Sequence, residues 1–190
     1  MKLSKTVLAI VAAVAAVGFG SYEAQATQIS GMLNIAGTAT FDTNSLATAK
    51  AVTNFSNVTV GGGNTGAFAS IAVGTSVAMA SPYVFNPSTA TPMLMSVGGF
   101  TFDLTSSTVV AQTKNFLDIT GTGFISGNGY NSTPATWAFS SQNATGQPHN
   151  TFTFSANIGA QPTPDSGMTV ALLGAGLLGL AAFRAKFAKV

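Results

Sequence analysis

The sequence contains no cysteine, so neither a disulfide framework nor a cysteine metal site can brace the fold, even in an oxidising compartment. Stability must come from the core. Charge is nearly as scarce, with 7 Lys and Arg and 5 Asp and Glu among 190 residues. Lys2, Lys5, Arg184, Lys186 and Lys189 lie near the two ends, so residues 27–160 hold only Lys50, Lys114, Asp42, Asp103 and Asp118. Two cations against three anions make no basic face for a phosphate backbone, which excludes nucleic acid as a partner. Glutamate occurs only as Glu23 and histidine only as His149, so the usual acid–base groups are thin throughout the middle. What fills that middle is Thr, Ser, Asn and Gly interleaved with apolar residues, unlike a disordered segment, which combines low hydrophobicity with high charge.

The interleaving has a period of two. From residue 29 to 41 the odd positions read Ile29, Gly31, Leu33, Ile35, Gly37, Ala39 and Phe41, against Ser30, Asn34, Thr38, Thr40 and Asp42. This is the mark of a strand with one buried face. It recurs in Phe100, Phe102, Leu104, in Ala135, Trp137, Phe139, and in Phe152, Phe154, Ala156, Ile158. Residues 52–60, 67–79, 108–113 and 116–126 are further strand candidates, and 45–52 is a short helix or a loop. Turn chemistry separates the runs at Gly61-Gly62-Gly63-Asn64, Asn86-Pro87-Ser88, Gly98-Gly99, Gly127-Asn128-Gly129 and Gly146-Gln147-Pro148. Short strands at regular spacing indicate an antiparallel sandwich or barrel. The alternating apolar faces need a second layer to cover them, so the expected fold is an all-β, antiparallel, jelly-roll-like β-sandwich over residues 27–160.

Reactive constellations are few. His149 sits between Pro148 and Asn150 and reads as a solvated loop residue; a metal site there would need scattered aspartates to complete it. A Ser/His/Asp triad built on His149 with Asp103 or Asp118 lacks any G-x-S-x-G elbow. Asp103 and Asp118 fall on the polar side of strand patterns and read as face residues rather than a glycosidase pair. Asp42-Thr43-Asn44 opens like a calcium loop, but Leu46 occupies the third ligand position and no acidic residue closes it. Gly174-Ala175-Gly176-Leu177-Leu178-Gly179 matches G-x-G-x-x-G without the helix length or downstream acid that dinucleotide binding needs. No catalytic residue, cofactor or metal is therefore expected. Tyr83, Tyr130 and Trp137, with Asn128 and Asn131 nearby, are the residues that can form a sugar-binding platform if exposed, although the alternation around Trp137 places it in the core.

The two ends carry address signals. Lys2 and Lys5 precede an unbroken apolar stretch over residues 7–19, and Ala24-Gln25-Ala26 offers a small-residue cleavage site before Thr27. That is the three-part pattern of a secretory signal peptide, with the apolar part short of the roughly 20 residues of a spanning helix. At the other end a proline-broken linker leads through Pro164, Asp165, Ser166 and Gly167 to an apolar run over 168–183, then to Arg184, Lys186 and Lys189. The run is expected to be a transmembrane helix with a cytoplasmic basic end. Ala171, Ala175 and Gly179 recur every four residues and form a small-residue stripe suited to close helix packing.

The order of motif, span and basic cluster resembles the PEP-CTERM family of sorting tails, and Pro164-Asp165-Ser166-Gly167 is similar to its variant written V-P-D-S-G, with Thr163 in place of the valine. The texture of the middle also resembles the low-charge β domains that precede such tails. The resemblance implies that Pro164, Asp165, Ser166 and Gly167 are recognised by an exosortase, an integral membrane peptidase, in a bacterium that makes extracellular polysaccharide. The expected organisation is a signal peptide over 1–26, a β domain over 27–160, a linker and sorting motif over 161–167, and a membrane helix with its basic end over 168–190. The expected role is that of a noncatalytic surface or exopolysaccharide-matrix protein, touching the membrane transiently; a carbohydrate-binding module is the alternative.

Overall fold

The computed structural model describes residues 27–142 and 151–160, together with Leu173, Gly174, Gly176 and Leu177, which are helical. The signal segment with Ala24 and Ala26, residues 143–150 with His149, the motif from Pro164 to Gly167, the stripe positions Ala171, Ala175 and Gly179, and the basic residues Arg184, Lys186 and Lys189 lie outside the described residues. Among the described residues, no helix is long and apolar enough to cross a membrane.

The domain is all-β and antiparallel. Its strands are β1 (Gly31–Phe41), β2 (Ala51–Val60), β3 (Ala78–Met79), β4 (Tyr83–Val84), β5 (Thr91–Val97), β6 (Phe100–Gln112), β7 (Phe116–Gly127), β8 (Tyr130–Gln142) and β9 (Thr151–Ala160). They form one sheet in the order β3-β5-β6-β7-β8-β9-β1-β2-β4. In place of the expected two stacked sheets of a jelly-roll-like sandwich, hydrogen bonds run through all nine strands. The second layer that covers the apolar face is the same sheet, curled. Residues 74–80 tie the curl together: the Val77 N–H donates to the Val58 carbonyl at 2.9 Å and the Val60 N–H to the Thr75 carbonyl at 2.9 Å, so this segment starts on β2. It then joins β5 through Ala78 opposite Ser96 and Met79 opposite Met95. This is why 67–79 is not one strand: its first part makes a single 3-10 turn (Gly66–Phe68) that sets Phe68 into the core, and only its end pairs.

The period of two decides which face is buried. In β1, Leu33, Ile35, Ala39 and Phe41 are buried, and in β9 Phe152, Phe154, Ala156 and Ile158 are buried, as their alternation requires. β6 changes phase partway. Phe100, Phe102 and Leu104 point inward, but Leu104 lies opposite Gly123 and Ser106 opposite Thr122, so Thr105 is an extra residue, a β-bulge. That bulge splits the sequence pattern into two apparent strands where the structure has one.

The core is aromatic. Trp137 stacks on Phe102 with ring centroids 6.1 Å apart and on Phe139 at 6.1 Å, and Phe139 stacks on Phe154 at 5.2 Å. Phe102 on β6 and Trp137 on β8 meet across β7, which lies between them. They can do so because the inward positions of β7 between Ile119 and Ile125 are Gly121 and Gly123: a Cβ on Gly123 would overlap the Asp103 carbonyl oxygen and approach the Phe102 ring to 2.9 Å, and one on Gly121 would lie 3.4 Å from Trp137.

The strand directions give the domain two ends. One end gathers residues 27–31, the 61–66 loop, the Gly98-Gly99 and Gly127-Asn128-Gly129 turns, and Ala160, where β9 stops. Gly31 and Gly66 approach so closely there that a Cβ on either would overlap backbone of the other segment, and both have positive φ, +136° and +59°. The Asn128 Nδ2 donates to the Gly98 carbonyl at 2.8 Å and joins the two turns. Ala160 faces Ala135 of β8, and residues 27–29 run beside the part of β8 that lies beyond that pair. There Asn131 donates its N–H to the Thr27 carbonyl, and the Ile29 N–H donates to Thr133 Oγ1 at 2.9 Å. The opposite end carries the 42–50 and 113–115 connections.

Candidate functional site

The aromatic residues read from sequence as a possible sugar platform do not form one. Tyr83 and Trp137 are buried core residues at 0 % and 1 % exposure, and Tyr130 is half-buried against Phe100 with centroids 6.1 Å apart. Trp137 is in the core as its alternation with Ala135 and Phe139 requires. Tyr83 faces Trp137 and Ser107 inside the curl. Burial, the largest influence, raises the Tyr83 phenol above its ordinary pKa, partly offset by the neighbouring Ser107 and Trp137 side chains. None of these approaches has good hydrogen-bond geometry, and both the Tyr83 hydroxyl and Trp137 Nε1 are buried without a partner.

Two of the domain's three aspartates serve backbone. Asp42 Oδ1 accepts from the Lys50 N–H at 3.0 Å and closes the connection between β1 and β2. Asp103 Oδ1 accepts from the Met93 N–H at 2.7 Å, holding a residue whose φ is +51°. Asp118 lies on β7 between Ala111 of β6 and Ser140 of β8. The three aspartates are thus distributed over separate places, and among the described residues no cluster of His, Cys, Asp and Glu is placed to hold a metal.

The recessed surface lies on the outer face of the sheet. A shallow hollow of about 390 Å³ is lined by Thr105, Thr122, Phe124, Pro134, Thr136 and Gly159, among others. A second, of about 380 Å³, continues it past Thr108 and Thr120 and shares Thr122 and Thr136. Each side chain is there for a local reason. Thr105 is the bulge residue of β6, Thr122 and Thr136 are direct cross-strand partners on β7 and β8, and Gly159 opposite Thr136 leaves the floor open. Phe124 faces Pro134 and is 48 % exposed. The sequence reading passed over Phe124, yet its strand phase marks it: with Leu117, Ile119 and Ile125 buried at odd positions, position 124 must point outward. The strip offers hydroxyls and one aromatic edge without a charged group, which suits contact with a neutral polar ligand and provides no nucleophile–base pair.

The described residues thus form an all-β, nearly uncharged domain with polar outer faces. What the chain carries behind that domain is more specific: the family model for the VPDSG-CTERM motif matches residues 164–187. The match begins at Pro164 and takes in the expected motif, the stripe positions Ala171, Ala175 and Gly179, and Arg184 and Lys186, but not Lys189. A tail of this PEP-CTERM-like type points to a secreted protein processed at a membrane, and such tails are generally recognised by exosortase-like membrane proteins. Neither curated proteins nor solved structures yield a match to the chain.

Proposed function

We propose that this chain is a noncatalytic structural or interaction protein of the cell surface or exopolysaccharide matrix, delivered through the inner membrane and released or transferred when an exosortase-type peptidase removes its tail. The observation that carries this reading is the sorting-tail match over 164–187 behind a β domain of almost no charge. In it, the signal is cut between Ala26 and Thr27. Pro164, Asp165, Ser166 and Gly167 form the recognition element, the small stripe of Ala171, Ala175 and Gly179 seats the helix against the enzyme, and Arg184, Lys186 and Lys189 hold the far end in the cytoplasm. The noncatalytic part of the reading is supported by Asp42 and Asp103, whose carboxylates are engaged by backbone N–H groups. The experiment is the intact mass and fractionation of the protein from its own host and from a bacterium without an exosortase. The first should yield a species lacking both ends, and the second should keep the tail in the inner membrane. Retention of residues 168–190 in both hosts would reduce the tail to an ordinary anchor.

A second reading, a carbohydrate-binding module, is favoured by the exposed Phe124 beside Thr105, Thr122 and Thr136. A glycan array probed with the mature protein and with Phe124→Ala separates the two: loss of a bound glycan on substitution supports the module, and no binding by the wild type removes it.

A further inference from the structure

The tail leaves the domain from an end that has a composition of its own. Ala160 is the last residue of β9, and only Gln161, Pro162 and Thr163 separate it from Pro164. Four Cα steps span at most about 14 Å even when fully extended. Whatever binds Pro164 to Gly167 therefore meets the folded domain at the end where Ala160 emerges, on a rim made of residues 27–31, 61–66, 98–99 and 127–131. That rim contains no Asp, Glu, Lys, Arg or His. Asp42, Lys50 and Lys114 lie at the other end, and Asp118 near it, while Asp103 is bonded to the Met93 N–H. The rim is also braced, by the joined turns at Gly98 and Asn128 and by the close approach of Gly31 and Gly66.

From this we infer that the uncharged rim is a docking surface for the membrane peptidase that cuts the tail, so that the enzyme recognises the folded domain end together with the motif. The inference rests on the tail-processing reading above and adds its second contact. Where the rim touches the enzyme it loses water, and a charge placed there has to be desolvated without a partner. An uncharged, braced set of turns avoids that cost, and the short linker keeps Ala160 close to the bound motif. The same argument places the 42–50 and 113–115 end away from the enzyme.

The test is the rate of tail removal from the full chain in a host with the peptidase, followed by mass. Ser30→Glu and Gly62→Glu put charge on the rim: Ser30 is exposed, and a Cβ on Gly62 has no atom within 4 Å. Asn115→Glu puts the same charge at the far end, where residue 115 is exposed. The rim variants should be processed about tenfold more slowly, as expected for a charge stripped of water without a partner, with Asn115→Glu unchanged. A flexible insertion of ten Gly and Ser residues between Ala160 and Pro164 should restore the rim variants to the wild-type rate by letting the domain stand off. Equal rates for rim and far-end variants would overturn the inference, as would slow processing that the insertion fails to relieve, since that pattern is a folding or export defect. If the wild-type chain is not processed at all, the tail-processing reading falls with it; if it is processed and the rim variants match it, only the rim contact falls.

Discussion

Gly123→Ala adds one methyl group, and the structure says that it should be among the costliest small changes in the domain. A Cβ at that position would overlap the backbone oxygen of Asp103 and sit 2.9 Å from the Phe102 ring. A ring can turn, but a carbonyl in a paired strand can move only if β6 and β7 move apart. Overpacking a core costs typically 1–3 kcal/mol, and an immobile backbone neighbour puts this site at the top of that range, about 3 kcal/mol. For a domain of this size 1 kcal/mol corresponds to roughly 3–5 °C, so the melting midpoint should fall by about 9–15 °C. The assay is thermal unfolding of the mature protein, followed by far-UV circular dichroism and by the fluorescence of Trp137, the single tryptophan. Trp137 reports the site directly, because it stacks across β7 on Phe102. Gly62→Ala is the matched control, since its Cβ would enter open space and should change stability by less than about 0.5 kcal/mol. If Gly123→Ala melts within a degree or two of the wild type, β7 has room that the structure denies, and the account of how Phe102 and Trp137 meet is wrong.

Three further outcomes follow from contacts elsewhere. Tyr83 has a folded-state pKa raised mainly by burial, so the unfolded chain releases its proton first; stability is intact below about pH 10 and declines as pH rises toward the folded-state value. Denaturant titrations of wild type and Tyr83→Phe across pH 9–11 should show a shallower alkaline decline in the variant, and identical slopes would mean that Tyr83 does not titrate differently on folding. Asp103→Ala removes the acceptor for the left-handed Met93 and should cost roughly 1–2 kcal/mol, whereas Asp103→Asn, which keeps an oxygen there, should cost less; equal losses would deny the hydrogen bond its role. Gln112 Nε2 donates to the Leu46 carbonyl at 2.6 Å and the Ala49 carbonyl at 2.8 Å, so Gln112→Ala should loosen the 42–50 connection and hasten tryptic cleavage at Lys50, and an unchanged digestion rate would count against this.

Much of the fold was legible where alternation was unbroken. β1, β7, β8 and β9 lie where period-two runs placed them, because each has one face in the core and one in water, and β2 lies in the candidate range 52–60 although its alternation breaks near the left-handed Asn57. The misses have local causes. β5 (Thr91–Val97) escaped notice because Pro92 and the left-handed Met93 interrupt its phase, and Leu94 and Met95 are buried in succession. β6 read as two pieces because the Thr105 bulge inverts its parity. Whether one sheet or two covered the apolar face was not decidable from periodicity, since the segment that ties the curl, residues 74–80, is held by backbone hydrogen bonds that leave no side-chain pattern. At the site, burial of Trp137 could be read from its neighbours, whereas Tyr83 lies on a two-residue strand too short to carry a phase.

The placement of β9 between β8 and β1 also fixes when the domain can form. β1 is the first strand to leave the ribosome and β9 the last, yet they are paired from Gly31 opposite Ala160 to Thr40 opposite Thr151. Until β9 arrives, β8 and β1 each present an open edge, and the aromatic cluster lacks Phe152 and Phe154. Pairings this distant in sequence are slow to form, because a long loop must close before any contact stabilises it. The sheet accordingly stays incomplete until the chain is available almost to residue 160, and folding is timed by the arrival of its last strand.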